Sequence, residues 1–299
     1  MLYTHAVIPR LGLGNSLFPW ARAEVFRHRF GLPMLGPVWF KPMIGPTLRR
    51  EVDRRVYWPL FQQDDYTGGL ARLTILCSSR RLQEPQNWFA GSEVALPSAG
   101  LVVFRGLKPP NSDADYFLPL WGQGDFLRRR LLTICRPSAL RGLPAAGGPF
   151  IGVHMRRGDL RQSLSDPHNA IYCPPAWFIA TLRSLQDCGE LCDLPVRVMT
   201  DGGAEDRALF AGLRGVEFVD AGNALANILC LARATVFVGT GYSTFSRWIS
   251  FLGGMPTLYY PGYVPPAVGH AAYSGGYDPQ TAPPAGLREQ VVLRRGATA

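Results

Sequence analysis

The stretch "GVHMRRGDL", residues 152–160, sets a histidine, two arginines and an aspartate directly behind an apolar run. That run, Pro149-Phe150-Ile151-Gly152-Val153, is short and follows Gly147-Gly148. A short apolar run behind glycines reads as a strand covered on both faces, as in a parallel sheet. Charges do not belong inside such a strand, so the polar residues should lie just beyond its carboxyl end. In open α/β sheets that is where ligands bind.

The sequence on the carboxyl side of this motif alternates strand and helix signals. A helix is predicted from Pro174 to Asp187, its proline suited to a first turn. "LPVRVMTDGG" reads as a strand ending at Thr200-Asp201, and "AEDRALFAGL" as a helix closed by Gly215. "VEFVDAG" is the next strand and "NALANILCLARA" the next helix. "TVFVGTGYSTFSRWISFLGG" is again strand, glycine loop and helix, and "MPTLYYPG" is read as the last strand. Such alternation implies a parallel sheet wrapped by helices. The amino half opens with a strand-like "YTHAVIP", a glycine turn "LGLGNSL" and a helix "FPWARAEVFRHRFG". Further on come a strand "LVVFRGL" and a helix "GDFLRRRLLTICRP". Residues 33 to 110, rich in proline, aromatics and arginine, give no clear pattern apart from that strand. The Pro/Gly-rich "RPSALRGLPAAGGP", residues 136–149, separates the halves. The expectation is an α/β chain of two Rossmann-like domains facing across a cleft, 1–140 and 146–299.

Of the 299 residues, 47% are hydrophobic and 18% charged, a globular rather than disordered balance. The net charge is +9, and 29 of the 31 basic residues are arginine, since Lys41 and Lys108 are the two lysines. Arginine suits bidentate phosphate contacts. Its scatter along the chain, with no basic tail and no aromatic-basic RNA signature, argues against a nucleic-acid partner. The most apolar stretch, Ala224 to Val238, is too short to span a bilayer and contains Arg233. "MLYTHAVIPR" has no charged start, apolar core and cleavage site, so no secretory signal and a cytoplasmic location are expected. A positive chain could also associate peripherally with the inner membrane face. Six cysteines make no dense disulfide framework, and Cys188 and Cys192 lack a second ligand pair for zinc.

Three motifs carry chemistry. In "HMRRGD" an arginine can neutralise charge on a diphosphate leaving group. His154 can donate to a phosphate, sugar or base, and Asp159 can orient an arginine or accept a proton. A solvated Arg157–Asp159 turn would read the same. In "GTGYSTFS" a glycine loop opens a helix whose free N–H groups suit a diphosphate, with Ser243 and Thr244 adding hydroxyls. An ordinary helix cap also fits. In "LGLGNSLF" glycines at 12 and 14 permit close approach or positive φ, and Asn15 offers donor and acceptor. A tight strand-to-helix turn capped by asparagine fits equally.

Taken together, these motifs resemble the α1,2-fucosyltransferases and their α1,6- and protein O-fucosyltransferase relatives. "HMRRGD" is similar to their His-x-Arg-Arg-Gly-Asp motif. Residues 11–26 resemble their amino-terminal Gly-Leu-Gly-Asn segment, and residues 237–260 their Ser-rich loop and helix. "VRVMTDGG" falls where the α1,2 enzymes have a strand ending in Ser-Asp-Asp. Ser16, Gly202 and Leu160 depart from the family pattern, and the asparagine and tandem tryptophans of the third region are missing.

The resemblance implies a GT-B glycosyltransferase inverting the anomeric centre, with GDP-fucose as donor, a glycan hydroxyl as acceptor and no cofactor. It implies Arg156 on the β-phosphate, Arg157 supporting the loop, and His154 and Asp201 at the nucleotide. Ser243, Thr244 and Phe245 would supply helix-end contacts, and Gly14 and Asn15 the amino-terminal loop. Asp159, with Asp166 as second choice, is the candidate proton acceptor. Asp113-Ala114-Asp115 has the spacing of a metal-binding pair but sits in loop composition, so no metal is expected. The alternatives are a transferase using another nucleotide sugar on this scaffold, a retired transferase, or a non-enzymatic arginine-rich protein binding RNA or other anions.

Overall fold

A computed structural model describes residues 1–40, 56–91, 93–110, 115–144, 147–158, 161–189, 191–270 and 272–298. The chain divides into two units, Met1–Leu140 and Arg141–Ala299.

In the first unit the described elements are β1 (Leu2–Ala6), α1 (Leu13–Phe30), β2 (Met34–Leu35), α2 (Gly69–Ser78), β3 (Arg81–Gln83), β4 (Gly100–Phe104) and α3 (Gly124–Ile134). The strands form a parallel sheet in the order β2-β1-β4-β3. β1 pairs along its whole length with β4, from Leu2 opposite Gly100 to Ala6 opposite Phe104. α2, β2 and β3 all fall in the stretch whose sequence shows no pattern.

α1 corrects the expected helix start at Phe18. It begins at Leu13, and Gly12 at φ −59° precedes it. The N–H groups of Asn15 and Ser16 donate to the Gly12 carbonyl, both at 3.1 Å. Gly14 and Asn15 therefore belong to the first helical turn, not to a loop, and Gly12 needs no positive φ. Asn15 is not the cap; the Ser16 hydroxyl instead holds the entry by donating to the Leu11 carbonyl at 3.2 Å. Pro19 marks no start because Leu13, Leu17 and Phe18 are buried, and burying an extra apolar turn outweighs one missing N–H. The far end follows local rules: Gly31 is left-handed at φ 62° after a basic last turn, Arg27, His28 and Arg29.

Arg22, fully buried on α1, ties this unit together. It meets Glu84 at 3.0 Å and donates to the carbonyls of Arg105 and Leu107, both at 2.7 Å. The Trp88 indole N–H donates to the same carboxylate at 3.1 Å. The loop leaving β4 is thus fastened to α1 by a buried charge whose donors are largely satisfied.

The second unit contains β5 (Ile151–Met155), α4 (Arg161–Ser165), α5 (Pro175–Gln186), β6 (Val196–Thr200), α6 (Ala204–Ala208), β7 (Val216–Phe218), α7 (Ala224–Leu231), β8 (Val236–Gly239), α8 (Thr244–Gly253), β9 (Thr257–Tyr259), β10 (Ser274–Gly276) and α9 (Ala285–Thr298). Its sheet is parallel throughout, in the order β7-β6-β5-β8-β9-β10. That is the order of the doubly wound dinucleotide-binding sheet. The chain moves outward from β5 through β6 and β7, then returns to lay β8 on the other side of β5. The switch point therefore opens at the carboxyl ends of β5 and β8. All five β5 residues are buried, and Ile151, Val153 and Met155 pack with Trp177, Phe178 and Leu182 of α5. α5 starts at Pro175, one residue after the expected Pro174, which serves as its N-cap; a proline still occupies the first turn.

Two expectations for this unit need correction, and one helix has no counterpart in the sequence pattern. "MPTLYYPG" is not the last strand, because Ser274-Gly275-Gly276 adds an edge to β9 through backbone pairing. α6 is five residues long, and the chain after it runs in turns up to Gly212 at φ 87°. α9 was not legible; Leu287 and Val291 bury one face while Leu293 is exposed. Among the described residues no helix is long and apolar enough to cross a membrane, and all six cysteines are free thiols.

Candidate active site

The switch point gathers residues from β5, β6 and β8 and from the start of α8. β5 ends in His154 and Met155, so Arg156 and Arg157 leave the sheet at its carboxyl edge. His154 lies opposite Met199 of β6 and Gly239 of β8. Thr240, just past β8, fastens the two central strands. Its hydroxyl accepts the Arg156 N–H at 3.0 Å and donates to the His154 carbonyl at 3.2 Å. Its own N–H donates to that carbonyl at 3.2 Å.

The two arginines have different surroundings. The Arg156 side chain is 32% exposed and forms an ion pair with the Asp201 carboxylate at the end of β6. Arg157 is buried: Nε donates to Asp206 at 3.0 Å and Nη2 to the Ser165 hydroxyl at 2.8 Å. Its backbone N–H donates to Asp201 Oδ1 at 2.6 Å. Asp201 thus orients both arginines, through the side chain of one and the backbone of the other. Asp206 also accepts the Gly203 N–H at 3.2 Å, which ties the start of α6 to the same cluster.

Two glycines make room for these carboxylates. Gly158 sits at φ +21°, and a Cβ there would collide with Asp201 Oδ2. A Cβ at Gly202 would collide with Asp206 Oδ2. The glycine at 202 therefore leaves space for Asp206, the acid that holds Arg157.

His154 is buried between α8 and the sheet. Its Nδ1 is 2.6 Å from the Ser246 hydroxyl, and its ring lies 4.7 Å from that of Phe245. Burial, and then the neighbouring Arg156 charge, lower its pKa to about 3. The imidazole is neutral near pH 7, so the accessible positive charge at this edge belongs to Arg156.

This shift makes the fold acid-sensitive. The unfolded histidine takes up its proton near pH 6.5, while the folded one resists until about pH 3. Stability should therefore be intact above about pH 6.5 and fall as the pH drops through that window. Urea midpoints between neutral and acid pH would show the loss, and His154→Asn should flatten the slope by about one proton. An unchanged slope in the variant would remove His154 as its source.

α8 starts where sequence rules place it. The Ser243 hydroxyl accepts the Ser246 N–H at 3.5 Å, and Thr244 and Phe245 form the first turn. Its N-terminus lies beside the end of β5 through the contacts of Ser246 and Phe245 with His154. This edge can therefore receive an anion from two sides, the Arg156 guanidinium and the positive end of α8.

His154, Arg156, Arg157, Asp201, Ser243, Thr244 and Phe245 thus share one edge of the second unit. Gly14 and Asn15 lie in the first unit, where the Asn15 side-chain oxygen is buried without a hydrogen-bond partner among the described residues. Asp159 and Asp113 lie outside the described residues. Asp166 is exposed and accepts the His168 N–H at 2.9 Å. Among the described residues no three His, Cys, Asp or Glu side chains come together. Thr240, Ser246 and Asp206 are the residues that motif reading missed. For the first two, their hydroxyls beside the glycine loop were the available signal.

A parallel doubly wound unit with its polar cluster at the switch point, preceded by a second parallel α/β unit, is the architecture of GT-B glycosyltransferases. Solved structures agree on the fold. The fucosyltransferase NodZ from Bradyrhizobium is similar with a TM-score of 0.53 and 15% identity, over 87% of this chain and 96% of that one. NodZ α-1,6-fucosyltransferase co-crystallised with GDP gives a TM-score of 0.50 and 15% identity, over 88% of this chain and 95% of that one. No protein-family model and no curated protein matches the chain.

Proposed function

We propose that the protein is an inverting fucosyltransferase that moves fucose from GDP-fucose to a glycan hydroxyl without a metal ion. The observation that carries this is the Arg156 side chain, partly exposed at the β5/β8 switch point beside the N-terminus of α8. A fold neighbour holding GDP supports a guanine nucleotide there. The relation to α1,2 enzymes rests on the sequence motifs.

In this reaction the bond from fucose C1 to the β-phosphate oxygen breaks as the acceptor hydroxyl attacks the opposite face. The departing GDP gains negative charge, which Arg156 and the first N–H groups of α8 meet in a site arranged beforehand. Asp201, which pairs with Arg156, gives way to phosphate oxygens. Arg157 keeps the loop in place through Asp206. The acceptor proton leaves late, and Asp159, three residues beyond Arg156 in the chain, is the carboxylate we assign to it.

A thermal-shift titration with GDP, UDP, ADP and CMP, each with magnesium or chelator, tests the donor class. GDP should raise Tm by roughly 5 °C at about a hundredfold excess over Kd, equally in chelator. A UDP preference would remove the fucosyl donor, a magnesium requirement would remove metal independence, and no response would remove the nucleotide site.

A further inference from the structure

α2 is an apolar helix that buries none of its ten residues. Ile75 and Leu76 rest, half covered, on the first unit's sheet beside Leu35, Leu101 and Val103. The opposite face carries Leu70, which is 82% exposed, Leu73, which is 54% exposed, and the exposed Cys77. Positions 70, 73 and 77 follow the spacing of one helical stripe, so this face holds a continuous apolar ridge in water. Isolated exposed leucines need no explanation, but a ridge of them on a helix lying against a sheet does.

The surrounding charge says what covers it. From Tyr66 to Gln83 the chain has three arginines and no acidic residue. Arg72 donates to the Gly36 carbonyl at 3.0 Å, which ties α2 to the segment after β2. Arg80 and Arg81, immediately after the helix, are exposed and form no ion pair among the described residues. A second copy of this face would bring the same arginines, with the exposed Asp64 five residues before the helix as its nearby acid not held by Arg130. A bilayer with anionic headgroups meets both features, taking the leucines at the acyl boundary and the arginines at the phosphates.

We propose that α2 docks the first unit on an anionic lipid surface, with Leu70, Leu73 and Cys77 inserted at the headgroup–acyl boundary and Arg80 and Arg81 on lipid phosphates. A ridge this short binds weakly and reversibly, so it needs the electrostatic contribution as well as the apolar one. The inference stands on α2 alone and does not depend on the transferase reading.

Co-sedimentation of the full chain with vesicles tests it. The protein should bind vesicles rich in phosphatidylglycerol, bind phosphatidylcholine vesicles poorly, and release at high salt. Leu70→Glu with Leu73→Glu should weaken partition by about tenfold or more while leaving Tm unchanged, because both side chains face solvent. A solvatochromic fluorophore on Cys77 should shift to the blue on the anionic vesicles, and one on the exposed Cys192 of the second unit should not. Equal binding to both vesicle types, or unchanged binding by the double variant, overturns the proposal. A Cys77 shift that follows protein concentration without lipid also overturns it and makes a second copy the occupant.

Discussion

Arg156→Ala should lower kcat/KM for fucosyl transfer by about 10²–10³-fold, the usual cost of removing one donor to a developing charge. The loss should fall mainly on kcat, because the leaving diphosphate carries more charge in the transition state than in bound donor. The fold should be almost indifferent. The Arg156 side chain is about one third exposed and pairs with Asp201, and such a partly solvated pair contributes about 0–1 kcal/mol. Its backbone N–H still donates to the Thr240 hydroxyl in the variant. Arg156→Lys should recover part of the rate, since an ammonium supplies the charge but not the paired donors. Initial rates with GDP-fucose, read beside a melting curve, would test both halves. Wild-type turnover in the alanine variant would remove Arg156 from the leaving group.

The neighbouring substitution should behave in the opposite way. Arg157→Ala is expected to destabilise the second unit by about 3–5 kcal/mol, the cost of leaving one partner of a buried pair unmatched. Asp206 is as buried as Arg157, and it also accepts the Gly203 N–H at 3.2 Å. The Ser165 hydroxyl loses its arginine as well, so the tie between α4 and β5 goes with it. Urea midpoints of the variant against the wild type measure this directly. Stability within about 1 kcal/mol of wild type would mean that Asp206 finds water or another donor, and that the pair is not structural. One residue apart in the chain, the two arginines should thus separate into a rate effect and a stability effect.

Much of the second unit could be read before folding. β5 and β8 are fully buried runs and β6 is one interrupted by Arg197, and strands buried on both faces need little beyond such a run. α5 and α8 announce themselves by a first-turn proline and a capping serine. The first unit was less legible for definite reasons. β2 has two residues and β3 is Arg81-Leu82-Gln83, an edge strand whose pairing comes from its neighbour rather than its composition. β10 is Ser-Gly-Gly, which no propensity scale would place in a sheet; it pairs because β9 presents an open edge. α1 starts before the expected Phe18 because the glycines of LGLGNSL read locally as a turn, whereas Leu13 and Leu17 are held by burial.

The site divides along the same line. Its charged residues were legible because their position after an apolar run is a one-dimensional property, and the sequence by itself determined that His154, Arg156 and Arg157 stand at a strand's carboxyl end. Tertiary structure alone decided which arginine is buried and which is partly exposed. That depends on Asp201 and Asp206, more than forty residues away, and on glycines at 158 and 202 that leave room for them. It also decided that His154 is neutral, since its pKa is set by burial under Phe245 and Ser246 from a helix nearly a hundred residues on. Local pattern specifies where a chain turns polar. The charge state and partners of each polar group are set by the dielectric and the neighbours that only packing brings together.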